Sequence, residues 1–345
     1  MNAIGEFWKT LGGRIEAGLR SGVPPDTGFA SLATEVVREV PAPPMTATSI
    51  ADWMIEEGTL PTQVNFHSGF GEPPLVVFAS EQFYAEVLFW FPGRTSIHGH
   101  GFSGAFMVLD GISIQTEFEF HEKEAPEAGI RLGDLVPRTI EFIEPGRVCT
   151  IERGTGFIHA VAHLGSPSLT LVVRTYGRQQ APQFRYHRCG FAVLTEADQS
   201  VPRRQAEVLA AIHDGARADF PQRLVALLEG LNDCRFYAVL ESLLSLLRQH
   251  FIERVMPIVE ARFAESRPHA VAALRERIRG SGIWKTARGL TDRKAQVHCA
   301  LADLFPDVAE RQAVLCRSYE VARLADLPAP WRDLVGEDGD PANPA

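Results

Sequence analysis

The feature that most limits what this chain can fold into is a change of pattern near Pro202. Upstream, short β-type runs follow one another: Leu75–Ala79, Phe83–Phe91, Gly104–Leu109, Ile112–His121, Thr139–Ile143, Val148–Ile151, Phe157–His163 and Leu169–Tyr176. Turn-forming residues separate them at Pro92-Gly93, Asp110-Gly111, Glu144-Pro145-Gly146 and Gly154-Thr155-Gly156. Many short strands at this spacing suggest an antiparallel sandwich or barrel, and a closed jelly roll also removes the exposed strand edges. In Ile112–His121 the residues Ile112, Ile114, Thr116, Phe118 and Phe120 alternate with Gln115, Glu117 and Glu119, which reads as one buried face and one wet face.

After Pro202 the spacing of apolar residues becomes helical and stays so. Arg204–Ala218, Pro221–Leu231, Arg235–Phe251, Pro257–Glu265, Pro268–Arg279, Asp292–Leu304 and Val308–Ala325 are expected to be helices, and helices with one apolar face each should pack as a bundle. Before the strands, a short N-terminal helix leads into a loop-like stretch rich in proline, and Ser49–Glu57 reads as a capped helix. The expected organisation is therefore an N-terminal segment over 1–69, a barrel over 70–200, a helical domain over 201–335 and a disordered acidic tail over 336–345. The fold class is α+β.

With 345 residues, a net charge of -9 and five cysteines free of C-x-x-C spacing, the chain does not read as a nucleic-acid binder or a disulfide-framed protein. The opening MNAIGEFWKT lacks a basic region followed by an apolar run, and a cytoplasmic location with no membrane partner is the expectation.

The chemistry is concentrated in FWFPGRTSIHGHGFSGAFMVLDG, Phe89 to Gly111. In an extended segment, residues two apart project to one face, so His98 and His100 can point together into one cavity. A jelly roll would bring the strand after Gly156 beside them, with His159 on it. Three neutral imidazoles facing an apolar interior leave coordination positions open and suit iron(II) or another divalent transition metal.

Together, these segments resemble the two motifs of the cupin superfamily, and among its members they are most similar to the thiol dioxygenases. Trp90-Phe91-Pro92-Gly93, Ile97-His98-Gly99-His100 and Ile158-His159 fill the family's places, over roughly residues 70 to 180. The resemblance implies a double-stranded β-helix barrel, an iron(II) ion held by His98, His100 and His159, and oxidation of a thiol by dioxygen to a sulfinate. The glutamate that many cupins add as a fourth ligand is absent from Gly101-Phe102-Ser103-Gly104-Ala105, as it is in the thiol enzymes.

Departures concern the substrate. Where the family carries Ser-x-His-x-Tyr, this chain reads Val172-Val173-Arg174-Thr175-Tyr176. Tyr176 keeps the catalytic tyrosine's place, and Arg174 becomes a candidate anchor for an anionic group of the substrate. Where the second motif has an asparagine, His163 stands, read as a residue supporting the metal ligands. His67 lies on a Gly-rich loop and reads as a surface residue or part of a lid. Other readings stay open: a three-histidine oxygenase acting on a non-thiol substrate, or a metal-free or ligand-sensing cupin. The helical half is expected to cover the barrel mouth, form a homodimer interface or dock a protein partner.

Overall fold

The computed structural model describes residues 2–64, 71, 73–165, 167–176, 181–195, 200–214, 218–329 and 331–335. His67 and the tail over 336–345 lie outside the described residues. By its contacts the chain divides into two compact units that interleave along the sequence. The first comprises the described residues of Met1–Glu119, Pro137–Ala181 and Trp284–Ala345; the second comprises those of Phe120–Val136 and Pro182–Ile283.

The first unit is built on a jelly-roll barrel of two antiparallel sheets. One sheet orders β1 (Pro74–Ala79), β2 (Phe83–Trp90), β10 (Ser168–Thr175), β5 (Gly104–Asp110) and β8 (Val148–Ile151), each antiparallel to its neighbour. The opposing sheet centres on β9 (Gly154–His163), which pairs antiparallel with β3 (Gly93–Arg94), β4 (Ile97–His100) and the first half of β6 (Ser113–Glu127). Between the sheets, Leu88, Phe106, Val108, Cys149, Ile151, Val161 and Val172 form the inner core.

The other face of the first sheet is buried as well. Its Phe83, Ala85, Val87, Ala105, Met107, Leu169, Leu171 and Val173 pack against α1 (Ala3–Arg20), α2 (Phe29–Glu39) and α3 (Ala47–Glu57). Burial on both faces explains why β2 and β10 read as nearly unbroken apolar runs. Asn2 caps α1 by accepting from the Ile4 amide at 3.1 Å, and Gly12 lets the helix approach so closely that a Cβ there would lie 2.3 Å from the Phe78 ring. The stretch expected to be loop is α2. Ala30, Ala33, Val36 and Val37 give it a buried stripe between two proline clusters, which conceal it in a sequence pattern.

Three C-terminal helices belong to this unit: α9 (Arg293–Leu304), α10 (Val308–Ser318) and α11 (Trp331–Val335). Arg94 donates from Nε to Asp303 Oδ2 at 2.6 Å, and the Trp284 indole donates to the same oxygen at 2.7 Å. Arg288 donates to the Pro92 carbonyl at 3.1 Å. A segment some two hundred residues away thus grips the turn that leads into His98.

The second unit holds the outer parts of β6 and β7 (Ile130–Ile143), two short strands, β11 (Phe184–Tyr186) and β12 (Phe191–Leu194), and α4 (Ser200–Asp214), α5 (Phe220–Glu229), α6 (Asp233–Leu247), α7 (Met256–Phe263) and most of α8 (Pro268–Ala287). Leu240, Leu243 and Leu247 of α6 sit in its core with Phe236, Phe251 and Leu274. The expected single helix over Arg235–Phe251 is interrupted. Arg248 takes a positive φ of 48°, and a π-helical turn follows at Phe251–Val255. The short strands β11 and β12 were not anticipated, because three or four residues are too few to show a period. No described helix is long and apolar enough to cross a membrane.

Candidate metal centre

His98 and His100 lie on β4 and His159 on β9, and all three are buried. His98 stands directly opposite His159 in the ladder, where Cβ atoms are nearest and share a face. The ladder shifts register between His98 and His100, and the second histidine pairs with Gly154. That glycine adopts φ +71°, a conformation that admits a side chain only with strain.

The rings form a near-equilateral triangle. Centroids lie 4.7 Å apart for His98 and His100, 4.8 Å for His98 and His159, and 5.0 Å for His100 and His159. One potential ligand atom from each lies within 4.8 Å of the others. In each ring Nδ1 is already engaged: with the Ser96 carbonyl at 2.8 Å for His98, the Phe157 carbonyl at 3.2 Å for His100, and Gln115 Oε1 at 3.3 Å for His159. These acceptors call for a protonated Nδ1, which leaves Nε2 as the ligand atom. Burial, and then the neighbouring imidazoles, hold His100 and His159 well below the usual histidine range, so both rings are neutral, the form a metal needs.

Aromatic rings wall the site. Phe157 stacks on His100 at 5.6 Å and lies 4.4 Å from His159, Phe102 meets His100 edge-on at 5.2 Å, and Phe106 lies 5.8 Å from His159. No carboxylate joins the cluster among the described residues, so the donor set is three imidazole nitrogens. A divalent ion of borderline softness fits this set, with coordination positions left for exogenous ligands.

Arg174 and Tyr176 sit at the same end of the barrel. The Arg174 guanidinium carbon lies over Phe102, 3.5 Å from the ring centroid, so one phenyl ring separates it from His100. Its Nη1 makes a 3.5 Å contact with Glu86, and its buried Nε has no hydrogen-bond partner among the described residues. Glu86 is 3% exposed; burial pushes its carboxyl above the usual carboxylate range, and Arg174 opposes the shift. Tyr176 is half-buried, packs tilted against Tyr84 with centroids 5.0 Å apart and donates its hydroxyl to the Ser80 carbonyl at 3.0 Å.

His163 lies four residues beyond His159 on β9, on the same face. It stacks on Trp90 with centroids 4.4 Å apart, and the hydroxyls of Ser113 and Ser168 reach its Nδ1 at 3.0 Å and 3.2 Å. Its Nε2 is buried without a partner among the described residues, and burial pushes the ring down to about 3.

Two residues at the site escape a reading of the sequence. Glu86 carries a visible signal, a lone acid inside the apolar run Phe83–Phe91. Gln115 was expected on a wet face, and that expectation is corrected: it is 0% exposed, inside the barrel against His159 and Cys149. Alternation identified the two faces of β6, but the opposing sheet buries the polar one.

No protein-family model matches the sequence, and no curated protein matches it either. Among solved structures, a hydroquinone 1,2-dioxygenase in complex with cadmium and 4-hydroxybenzonitrile is similar at 14% identity, over 31% of this chain and 65% of its own, with a TM-score of 0.24. An oxalate oxidase in complex with glycolate is 16% identical over 28% of this chain and 43% of its own, TM-score 0.20. The chain thus spans less than two thirds of either protein. A cupin-2 domain protein from Shewanella frigidimarina is 11% identical over 36% of this chain and 92% of its own, TM-score 0.22. Likenesses this distant say nothing of this chain's activity or substrate.

Proposed function

We propose that this chain is a non-haem iron(II) dioxygenase of the three-histidine cupin kind, oxidising a small thiol-bearing organic acid to its sulfinate. The observation that carries the reading is the donor set: three buried imidazoles, each with Nδ1 engaged, and no carboxylate beside them among the described residues. Iron(II), which His98, His100 and His159 would hold, would supply the redox chemistry that joins a thiol to dioxygen. Both oxygen atoms end on sulfur, so RSH and O2 give RSO2H with atoms and electrons balanced.

The chain's own residues supply the surroundings. Phe102, Phe106 and Phe157 exclude water from the face of the triad. Arg174 offers donors to the substrate's acid group, since its Nε is unpartnered and its hold on Glu86 is a single loose contact. Tyr176 closes that end of the barrel and, in this reading, orients the bound ligands. His163 stiffens β9 through Trp90 and the two serines, and so supports His159 from along the strand.

The test is metal analysis of the purified protein together with oxygen uptake against a panel of thiol acids. The expected result is one iron per chain, uptake with at least one thiol, and loss of both in His159→Ala. Thiols should also perturb the EPR spectrum of the iron(II)-nitrosyl form. A spectrum unchanged across the panel, with uptake on some other organic acid, would move the reading to a non-thiol substrate. No iron and no uptake after iron loading would make the barrel a ligand sensor.

A further inference from the structure

We propose that Glu117 and Glu141, acting through Gln115, lock His159 into the tautomer that can bind a metal ion. The inference rests on the metal-centre reading above and concerns residues that touch none of the open coordination positions.

A carboxamide has one end that only accepts hydrogen bonds and one that only donates. The Gln115 Nε2 lies 3.0 Å from Glu117 Oε1 and 3.4 Å from Glu141 Oε1, with the Cys149 sulfur at 3.8 Å. Both carboxyl oxygens accept from the amide nitrogen where the structure places them, so the NH2 end faces the two acids. The carbonyl end is thereby turned onto His159 Nδ1, 3.3 Å away. A carbonyl can only accept, so the proton sits on Nδ1 and the lone pair on Nε2 faces the triad.

The reverse orientation fails twice. It would set the amide oxygen against two carboxylates, and it would offer N–H to Nδ1, placing the ring proton on Nε2, where it blocks coordination. Glu141 is not free to relax the constraint. Both oxygens of Glu141 are held by Arg147 Nη2, at 2.9 Å and 3.0 Å. Glu117 stands directly opposite His159 in the β6–β9 ladder. Gln115 is fully buried, so bulk water does not take the place of a lost partner. The other two ligands lean on backbone carbonyls, which cannot flip. Of the three, His159 is the ligand whose tautomer depends on side chains.

The experiment is competition for Zn(II) between a chromophoric chelator and the full-length apoprotein, with thermal unfolding of each variant to confirm folding. Glu117→Gln combined with Glu141→Gln removes the acids that orient the amide, and zinc affinity is expected to fall tenfold or more. Adding Gln115→Glu to that pair restores an acceptor that has no wrong orientation, and affinity should return to within threefold of the parent. A merely structural role predicts no such rescue. The proposal is overturned if the double variant binds zinc within threefold of the parent, or if Gln115→Glu fails to restore it. Should the variants not fold, side-chain 15N shifts of His159 in the parent apoprotein decide: a protonated Nδ1 supports the lock, and a protonated Nε2 overturns it. A parent that binds no zinc removes the metal-centre reading, while the tautomer measurement still judges the lock separately.

Discussion

His163 shows how one residue ties burial to pH dependence. Its folded pKa lies at about 3, against about 6.5 for an unhindered imidazole. Below pH ~6.5 the unfolded chain takes up a proton that the native ring refuses, so stability is complete above that pH and falls as pH drops toward 3. The expected slope is about 1.4 kcal/mol per pH unit for this group. Urea titrations of the apoprotein at pH 7.5 and 5.5 measure it, and His163→Asn should flatten the dependence by one proton's worth. The Glu86–Arg174 pair behaves differently, because its members depend on each other. Glu86→Leu alone leaves a guanidinium in an apolar barrel with its ion partner gone, and is expected to cost about 3 kcal/mol. Glu86→Leu with Arg174→Met removes both charges and should recover most of that loss in the same titration, at the expense of binding an acidic substrate.

Among the elements, β3 and β4 lead the chain into the site, and Asp303 of α9 holds β3 through Arg94. Asp303 is 3% exposed and receives both Arg94 and Trp284. Arg94 also donates to the Thr95 carbonyl at 2.9 Å, and Thr95 exchanges hydrogen bonds with Val161 of β9, two residues from His159. Asp303→Ala should therefore destabilise the fold by about 3 kcal/mol or more, measured by chemical denaturation, and weaken metal retention in dialysis. On the opposite sheet, β5 begins at Gly104 because nothing larger fits: a Cβ there would lie 2.0 Å from the Val173 carbonyl of β10. The obstacle is backbone, which cannot move aside without breaking the β5–β10 ladder. Gly104→Ala is expected to lower the unfolding midpoint sharply, by the equivalent of about 2 kcal/mol or more.

For the whole molecule, the first unit owes its core as much to α1–α3 as to the barrel. Trp8, Leu11, Ile15, Phe29 and Trp53 cover the outer face of the first sheet. A chain lacking residues 1–57 should lose its cooperative near-UV circular dichroism transition, since that face would meet water. Metal binding works in the other direction. Zn(II) or Fe(II) at a hundred times its dissociation constant should add about 2.7 kcal/mol to the stability of the apoprotein, read as a shift in the denaturation midpoint, with His98→Ala abolishing the gain. Much of this was legible from residue order alone. Turn residues between short apolar runs pointed to an antiparallel sandwich or barrel, the switch after Pro202 pointed to helices, and the spacing of His98 and His100 let two imidazoles share a face. These are local properties, set by periods of 2 and 3.6 residues and by backbone preferences that a few neighbours decide. What surrounds the triad is not local. Alternation along β6 separates the face of Gln115 from that of Ile114, but only the second sheet, packed over it, turns the polar face into the barrel interior. The same holds for α2, hidden between prolines until the sheet supplies something to pack against, and for Asp303, whose partner Arg94 is remote in sequence. Burial depends on which segments meet across the core, and that the tertiary structure alone decided.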